Sequence, residues 1–263
     1  MFHTIKIYFL LFLIYSFLGW CMENIVNLIQ RHKFVNRGFL LGPYCSIYGG
    51  GAILITLLLK YFIDKPVLLF IMAILLCGIL EYITSFVMEK IFHLRWWDYS
   101  EKKININGRV CLNTIIPFGI LGMIIMYWTN PFFLDKINML SSSSLDIIFY
   151  IFLGIYIADT IISLTTIFVI RKTTHMVNKE NREDNTEEIT RKVREVLLGK
   201  SVVQRRLVNA YPKLQVVKIK IKKKIDKTKE EIEKQKEIIE DKINVTKNNI
   251  NEKVKNIQIN KKE

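Results

Sequence analysis

Hydrophobic and polar residues along this chain fall into long blocks, unlike the short alternations of a soluble protein. Apolar runs cover about residues 5–29, 46–62, 66–92, 111–128 and 145–170. Each has the length of a membrane-crossing helix, roughly 17–25 residues or more. The pattern predicts an all-α membrane protein with five transmembrane helices. The first run is too long for a cleaved signal, has only Lys6 ahead of its apolar stretch and lacks a small-residue cleavage pattern, so it is expected to stay as a span.

Polar positions within these runs recur at helical spacing. Ser16, Trp20, Glu23 and Asn27 share one face of the first run, Glu81, Ser85 and Glu89 one face of the third, and Tyr156, Asp159, Ser163 and Thr166 one face of the fifth. An ionised carboxylate facing lipid is costly, so these stripes should look into protein. Gly49, Gly50 and Gly51 open the second run and read either as close helix packing or as an unwound segment lining a cavity. Pro117, Gly119 and Gly122 predict a kink or close packing in the fourth.

Between the third and fourth runs lies a loop crowded with Arg95, Trp96, Trp97, Asp98, Tyr99, Asn107, Gly108 and Arg109. With the acids of the preceding helix, it is the most chemically loaded stretch of the chain. Trp96, Trp97 and Tyr99 are expected in the aromatic belt at the headgroups, with Asp98 answering Arg95 or Arg109. The candidate intramembrane polar or ion-pair site comprises Glu23, Glu81, Glu89, Asp159, Arg37, Arg95 and Arg109. Ion pairs that hold the bundle together and a path for a substrate, ion or proton both fit these residues. Asp159 is the more suggestive of a path, because no cation lies near it in sequence.

Charge sets an orientation. The loops after the first and third runs carry Arg31, Lys33, Arg37, Lys90, Arg95, Lys102, Lys103 and Arg109, whereas the alternate loops hold only Lys60, Lys65 and Lys136. The positive-inside rule then puts the N-terminus outside and the organising loop and tail in the cytoplasm of a cell-membrane protein.

The chain has 263 residues, is 51% hydrophobic and carries a formal net charge of +14. Residues 1–170 hold 12 Lys+Arg against 9 Asp+Glu, so the remaining 26 against 15 place most of the basic excess in residues 171–263. Residues 171–212 read as a charged linker with a short amphipathic helix over Thr186–Leu198. Residues 213–263 read as a basic amphipathic or coiled-coil helix, with Ile225, Ile232 and Ile239 seven residues apart. Lys218, Lys220, Lys222, Lys223 and Lys224 suit anionic lipid, and self-association is the other use of such a helix. No aromatic residues interleave with the lysines, which disfavours nucleic acid. On this reading the chain can be cut after Arg171 without harm to the membrane domain.

Cys21, Cys45, Cys77 and Cys111 lie far apart, and the four histidines never reach metal-ligand spacing, so no metal, disulfide framework or cofactor is expected. No HExxH, GxSxG or paired-Asp motif appears, and an enzyme is not expected. The richness in Ile, Lys and Asn is consistent with an AT-rich bacterial genome.

Four segments together, FLGWCMEN at 17–24, NRGFLLGPYCSIYGGG at 36–51, EYITSFVMEKIFHLRWWDYS at 81–100 and INGRVCL at 106–112, resemble the putative ABC-transporter type IV, or CmpB-like, membrane proteins of mainly Gram-positive bacteria. The resemblance covers about residues 1–170. Cys45 stands where that family usually has a proline, leaving Pro43 to support the turn. The resemblance implies a permease-like multi-pass subunit and brings no substrate or catalytic residue with it. No Walker A pattern occurs in the chain, so a separate ATPase chain would have to supply the energy. A membrane scaffold or assembly factor, with the tail as its binding arm, is the alternative.

Overall fold

The apolar blocks form helices that run back and forth along one common direction. In this computed structural model, which describes residues 2–32, 34–180, 186–199, 201–211 and 214–216, α1 spans Phe2–Arg31, α2 Ser46–Leu58 and α3 Pro66–Phe92. Helix α4, Leu112–Ile124, continues through a π-helical turn, Ile125–Thr129, into α5, Asn130–Asn138, and α6 spans Ser142–Glu180. Among the described residues, four helical stretches are long and apolar enough to cross a membrane: Phe2–Gln30, Pro66–Phe92, Leu112–Asn138 and Ser142–Thr173.

The second apolar run does not make a fifth. Helix α2 has 13 residues, about 20 Å at 1.5 Å per residue, against roughly 30 Å of hydrocarbon. A 3₁₀ turn at Lys60–Phe62 ends it on one side. On the other, residues 34–45 are irregular. Gly38, with φ of +152°, together with Gly42 and Pro43, denies that stretch a helix. The irregular chain therefore folds back along α1, and the Cys45 amide bonds to the Ser16 carbonyl at 2.9 Å, fifteen residues short of the end of α1. The fourth run is longer than expected, because the helix continues through the π turn at Ile125–Thr129, which lies just ahead of Pro131, into α5.

Helix α2 runs antiparallel to α1, and Gly49 is the point of closest approach: a Cβ there would collide with the Ser16 hydroxyl and the Phe12 carbonyl. Helix α4 lies along α3, with Gly119 against Phe70 and Ile74 and Gly122 against Ala73. Helix α6 runs beside α1, through a Lys6–Asp146 ion pair and edge-on contacts of Phe9 with Phe149 and Phe12 with Tyr156. The start of α1 and the far end of α6 thus lie at opposite ends of the bundle.

The end that receives residues 34–45 also holds the loop after α3. Strand β1 is Leu94–Arg95, and a hairpin joins β2, Asn105–Ile106, to β3, Val110–Cys111. Asn107 and Gly108 turn it with φ of +52° and +67°. A Cβ on Gly108 would meet the Asp98 carboxylate and Ser100 hydroxyl, so this position requires glycine on both counts.

Past α6, helix α7 spans Thr186–Leu198, the range expected from the sequence, followed by α8, Val202–Ala210, and β4, Gln215–Val216. Ser201 caps α8, accepting from the Gln204 amide at 3.4 Å, and β4 pairs antiparallel with β1. Val193, Leu197, Leu207, Val208 and Leu214 are buried in one cluster with Phe92, Leu94, Trp96, Ile167 and Ile170. Residues 186–216 are therefore a cap built onto the bundle end. The helix expected over 213–263 lies outside the described residues, apart from 214–216.

Candidate functional site

The polar stripe of α1 is what draws the irregular segment back into the bundle. Trp20 donates from its indole to Asn36 Oδ1 at 2.6 Å, and Asn24 Oδ1 accepts the Arg37 amide at 3.3 Å. Glu23 takes the Arg37 guanidinium at 2.8 Å on one oxygen and the Tyr48 hydroxyl at 2.6 Å on the other. Residues 34–45 would otherwise carry unpaired amides and carbonyls below the end of α1. The Asn24 side chain satisfies one of them, the Arg37 amide, while Trp20 and Glu23 hold the segment by its side chains.

Asp159 of α6 satisfies others. Its two oxygens accept the amides of Leu41 at 2.8 Å and Gly42 at 2.7 Å, and the Ser163 hydroxyl donates to it at 2.9 Å. The carboxylate is 8% exposed. Its answer is therefore backbone, which sequence spacing to a cation could not reveal. From the opposite side, Arg206 of α8 donates to the carbonyls of Gly38, Leu40 and Leu41 at 3.3, 2.7 and 3.4 Å. Burial lowers this guanidinium from its ordinary value. Nothing in the tail's composition marked Arg206 out from its many basic neighbours.

Glu89 gathers a second group. One of its oxygens takes Arg95 at 3.1 Å and Arg109 at 2.9 Å, and Arg95 also reaches Asp98 at 3.5 Å. Arg109 packs its guanidinium over the rings of Tyr82 and Phe86. The Trp97 indole ties the loop to itself, donating to the Arg109 carbonyl at 3.0 Å, and Asn107 ties it to α3, donating to the Tyr82 hydroxyl at 3.0 Å. Trp96 is buried in protein: it is 3% exposed, ringed by Phe39, Phe92 and Tyr211, and lies in the cluster that the cap covers.

Glu81 differs from the other acids. It is 6% exposed, and its recorded partners are two hydroxyls, Tyr99 at 3.3 Å and Thr114 at 3.4 Å. Among the described residues no cation pairs with it. Burial, and then the Glu81 charge, raise the Tyr99 phenol above its ordinary value, which keeps it a donor to the carboxylate. The structure therefore brings Glu23 together with Arg37, and Glu89 with Arg95 and Arg109, while Asp159 holds backbone and Glu81 is left to hydroxyls.

Deeper in the bundle is a polar cluster that the sequence reading missed. Tyr15 donates to Asn130 Oδ1 at 2.7 Å and lies 2.7 Å from the Thr129 hydroxyl. Asn130 in turn donates to the Thr56 hydroxyl at 2.7 Å. These residues join α1, α2 and the π turn, a geometry that often marks functional helices. Asn130 read as the end of the fourth run, and only its place in a longer helix makes it interior. Among the described residues no group of three or more His, Cys, Asp or Glu is arranged to hold a metal ion.

Residues 10–164 match the family model described as "Putative ABC-transporter type IV". No curated protein and no solved structure matches. The matched span contains the irregular segment, Glu81, the loop after α3 and Asp159, and it ends before the cap.

Proposed function

We propose that this chain, which belongs to the "Putative ABC-transporter type IV" family, is a permease-like membrane subunit that works with a separate ATPase chain. The observation that carries this reading is Glu81, a carboxylate buried in a membrane-spanning helix and answered by hydroxyls alone. A structural acid in hydrocarbon gains most from a cation beside it, as Glu23 and Glu89 illustrate in the same bundle. A carboxylate without one is free to take a proton or a passing cationic group. The broken second pass supports the reading too, because irregular backbone at membrane depth is tolerated where it lines a path or is buried in protein. We place the cap end in the cytoplasm, on the Lys and Arg excess of the loops at that end.

Purification from native membrane in mild detergent, followed by mass spectrometry, tests the partnership. A nucleotide-binding ATPase in stoichiometric amount is the expected result, and envelope proteins without an ATPase would overturn it. For the site, Glu81→Gln should abolish movement of the substrate while protein level holds. A fall in folded protein instead would make Glu81 part of the scaffold of the bundle. The second reading, a membrane scaffold whose tail binds partners, draws on the 26 Lys and Arg of residues 171–263. It expects loss of function from a chain ending at residue 217 with the membrane domain intact.

A further inference from the structure

We propose that the cap, residues 186–216, is a releasable gate over the irregular segment 38–42, with Arg206 as its latch. This rests on the permease reading for its purpose, since a gate regulates access to the polar site below. The geometry of the latch stands without that reading.

Arg206 holds the segment through its backbone, beside the packing of Phe39 against the apolar cluster under the cap. Three carbonyls of residues 38–41 converge on one guanidinium, while Asp159 takes the amides of the two peptides that follow Leu40. With Arg206 in place, the segment is clamped on both sides. With it withdrawn, the carbonyls of Gly38 and Leu40 lose the recorded side-chain donor that holds them, and a stretch containing Gly38 and Gly42 has little of its own to keep its shape.

The same interface is built to release. Five buried side-chain polar atoms among the described residues have no hydrogen-bond partner, and three of them, Trp96 Nε1, Gln204 Oε1 and Arg206 Nε, belong to the cap or to the surface it covers. No carboxylate forms an ion pair with Arg206 among the described residues. Unpaired buried polar atoms and a half-buried guanidinium without a carboxylate in direct contact oppose docking, whereas Leu197, Leu207 and Val208, almost fully buried, favour it. Opposed contributions of this kind make release cost less than the apolar contact alone would set. The strand pairing adds little, being two residues long. The remaining tail follows directly from β4, so a partner that engages it pulls on the cap.

Cys45 provides a native reporter. It lies at the end of the irregular segment, partly buried, with its thiol 3.6 Å from the Arg37 carbonyl, and Cys77 of α3 serves as an internal standard away from the segment. The experiment is maleimide labelling of the full chain in detergent, quantified at each cysteine by peptide mass spectrometry. Arg206→Ala should raise the rate at Cys45 about ten-fold or more and leave Cys77 unchanged. Asp159→Asn, which loosens the other side of the clamp, should raise Cys45 as well. An unchanged Cys45 rate in Arg206→Ala overturns the latch, and so does a matched rise at Cys45 and Cys77, which would mean that the cap holds the whole bundle. Because labelling needs neither substrate nor ATPase, a failed latch and a failed permease assignment give different results.

Discussion

Asp159 and Arg206 hold Leu41 by its two backbone groups: the carboxylate accepts the Leu41 amide at 2.8 Å and the guanidinium donates to the Leu41 carbonyl at 3.4 Å. One residue lies in a membrane-spanning helix and the other in the cap, 47 positions later in the chain. Their charges act on each other through an oriented stretch of backbone. The segment between them is irregular, and this arrangement keeps its buried polar groups satisfied.

Asp159→Asn tests the helix side of that clamp. The amide side chain can accept one backbone N–H but presents its own NH₂ toward the other. Hydrogen bonds to charged groups contribute about 1.5–3 kcal/mol, so the variant should lose about that much stability in a detergent unfolding series. A change below about 0.5 kcal/mol would show that Asp159 does not hold the segment.

The Glu89 group predicts an order of effects. Glu89 is shared by Arg95 and Arg109, and Arg109 has the less exposed side chain of the two, at 9%. Glu89→Gln strands that guanidinium, and removing one partner from a buried pair costs about 3–5 kcal/mol. Arg95→Gln leaves Glu89 with Arg109, so its cost should be about 1 kcal/mol or less. Thermal midpoints of the two variants, measured side by side, check the order.

Gly49 and Gly50 are neighbours with opposite expectations. A Cβ at Gly49 collides with α1, whereas one at Gly50 meets nothing within 4 Å. Gly49→Ala should separate α1 from α2 and reduce monodisperse protein in size-exclusion chromatography. Gly50→Ala should be tolerated, and helix propensity alone favours it by up to about 1 kcal/mol. Equal behaviour of the two would contradict the packing of α2 described above.

Tyr211 carries a pH prediction. Burial raises its phenol above the ordinary value of 10.0, so the folded state favours the neutral form. The contribution is fully present below pH 10 and is lost as pH rises from there toward the folded value, because the unfolded chain ionises first. The cap should loosen in alkali, and Tyr211→Phe should flatten that dependence when unfolding is followed by tryptophan fluorescence.

The long spans were legible because each is a block of apolar residues, and hydrocarbon imposes length and composition directly. The short α2 was not, since its apolar run looks long enough and only the return of residues 34–45 along α1 shows that part of the depth is already taken. Glu23 and Arg37 both belong to the candidate ion-pair site read from the sequence, whereas Asp159 finds its partners in backbone, which has no sequence signature. The sequence predicts the Thr186–Leu198 helix of the cap but sets it in a charged linker, because charged residues dominate the composition there. The cap's contribution to the core comes from a few side chains, Val193, Leu197, Leu207, Val208 and Leu214, spaced for a narrow face.

The cap bears on where the chain can be cut. A membrane domain ending after Arg171 was expected to stand alone, yet Leu94, Trp96, Ile167 and Ile170 are covered by the cap. Burying a Leu or Val side chain contributes about 1.5–3 kcal/mol, and the cut removes Leu197, Leu207 and Val208, each at most 2% exposed, and Leu214 at 6%. The apolar surface left behind is the one that the cap covers at the bundle end. A chain ending at residue 180 should therefore aggregate on solubilisation, while one ending at 217 should stay monodisperse with the thermal midpoint of the full chain. Comparing the two by size-exclusion chromatography decides the matter. A well-behaved chain of 180 residues would mean that the cap adds nothing to the stability of the bundle, and that residues 186–216 belong functionally with the tail.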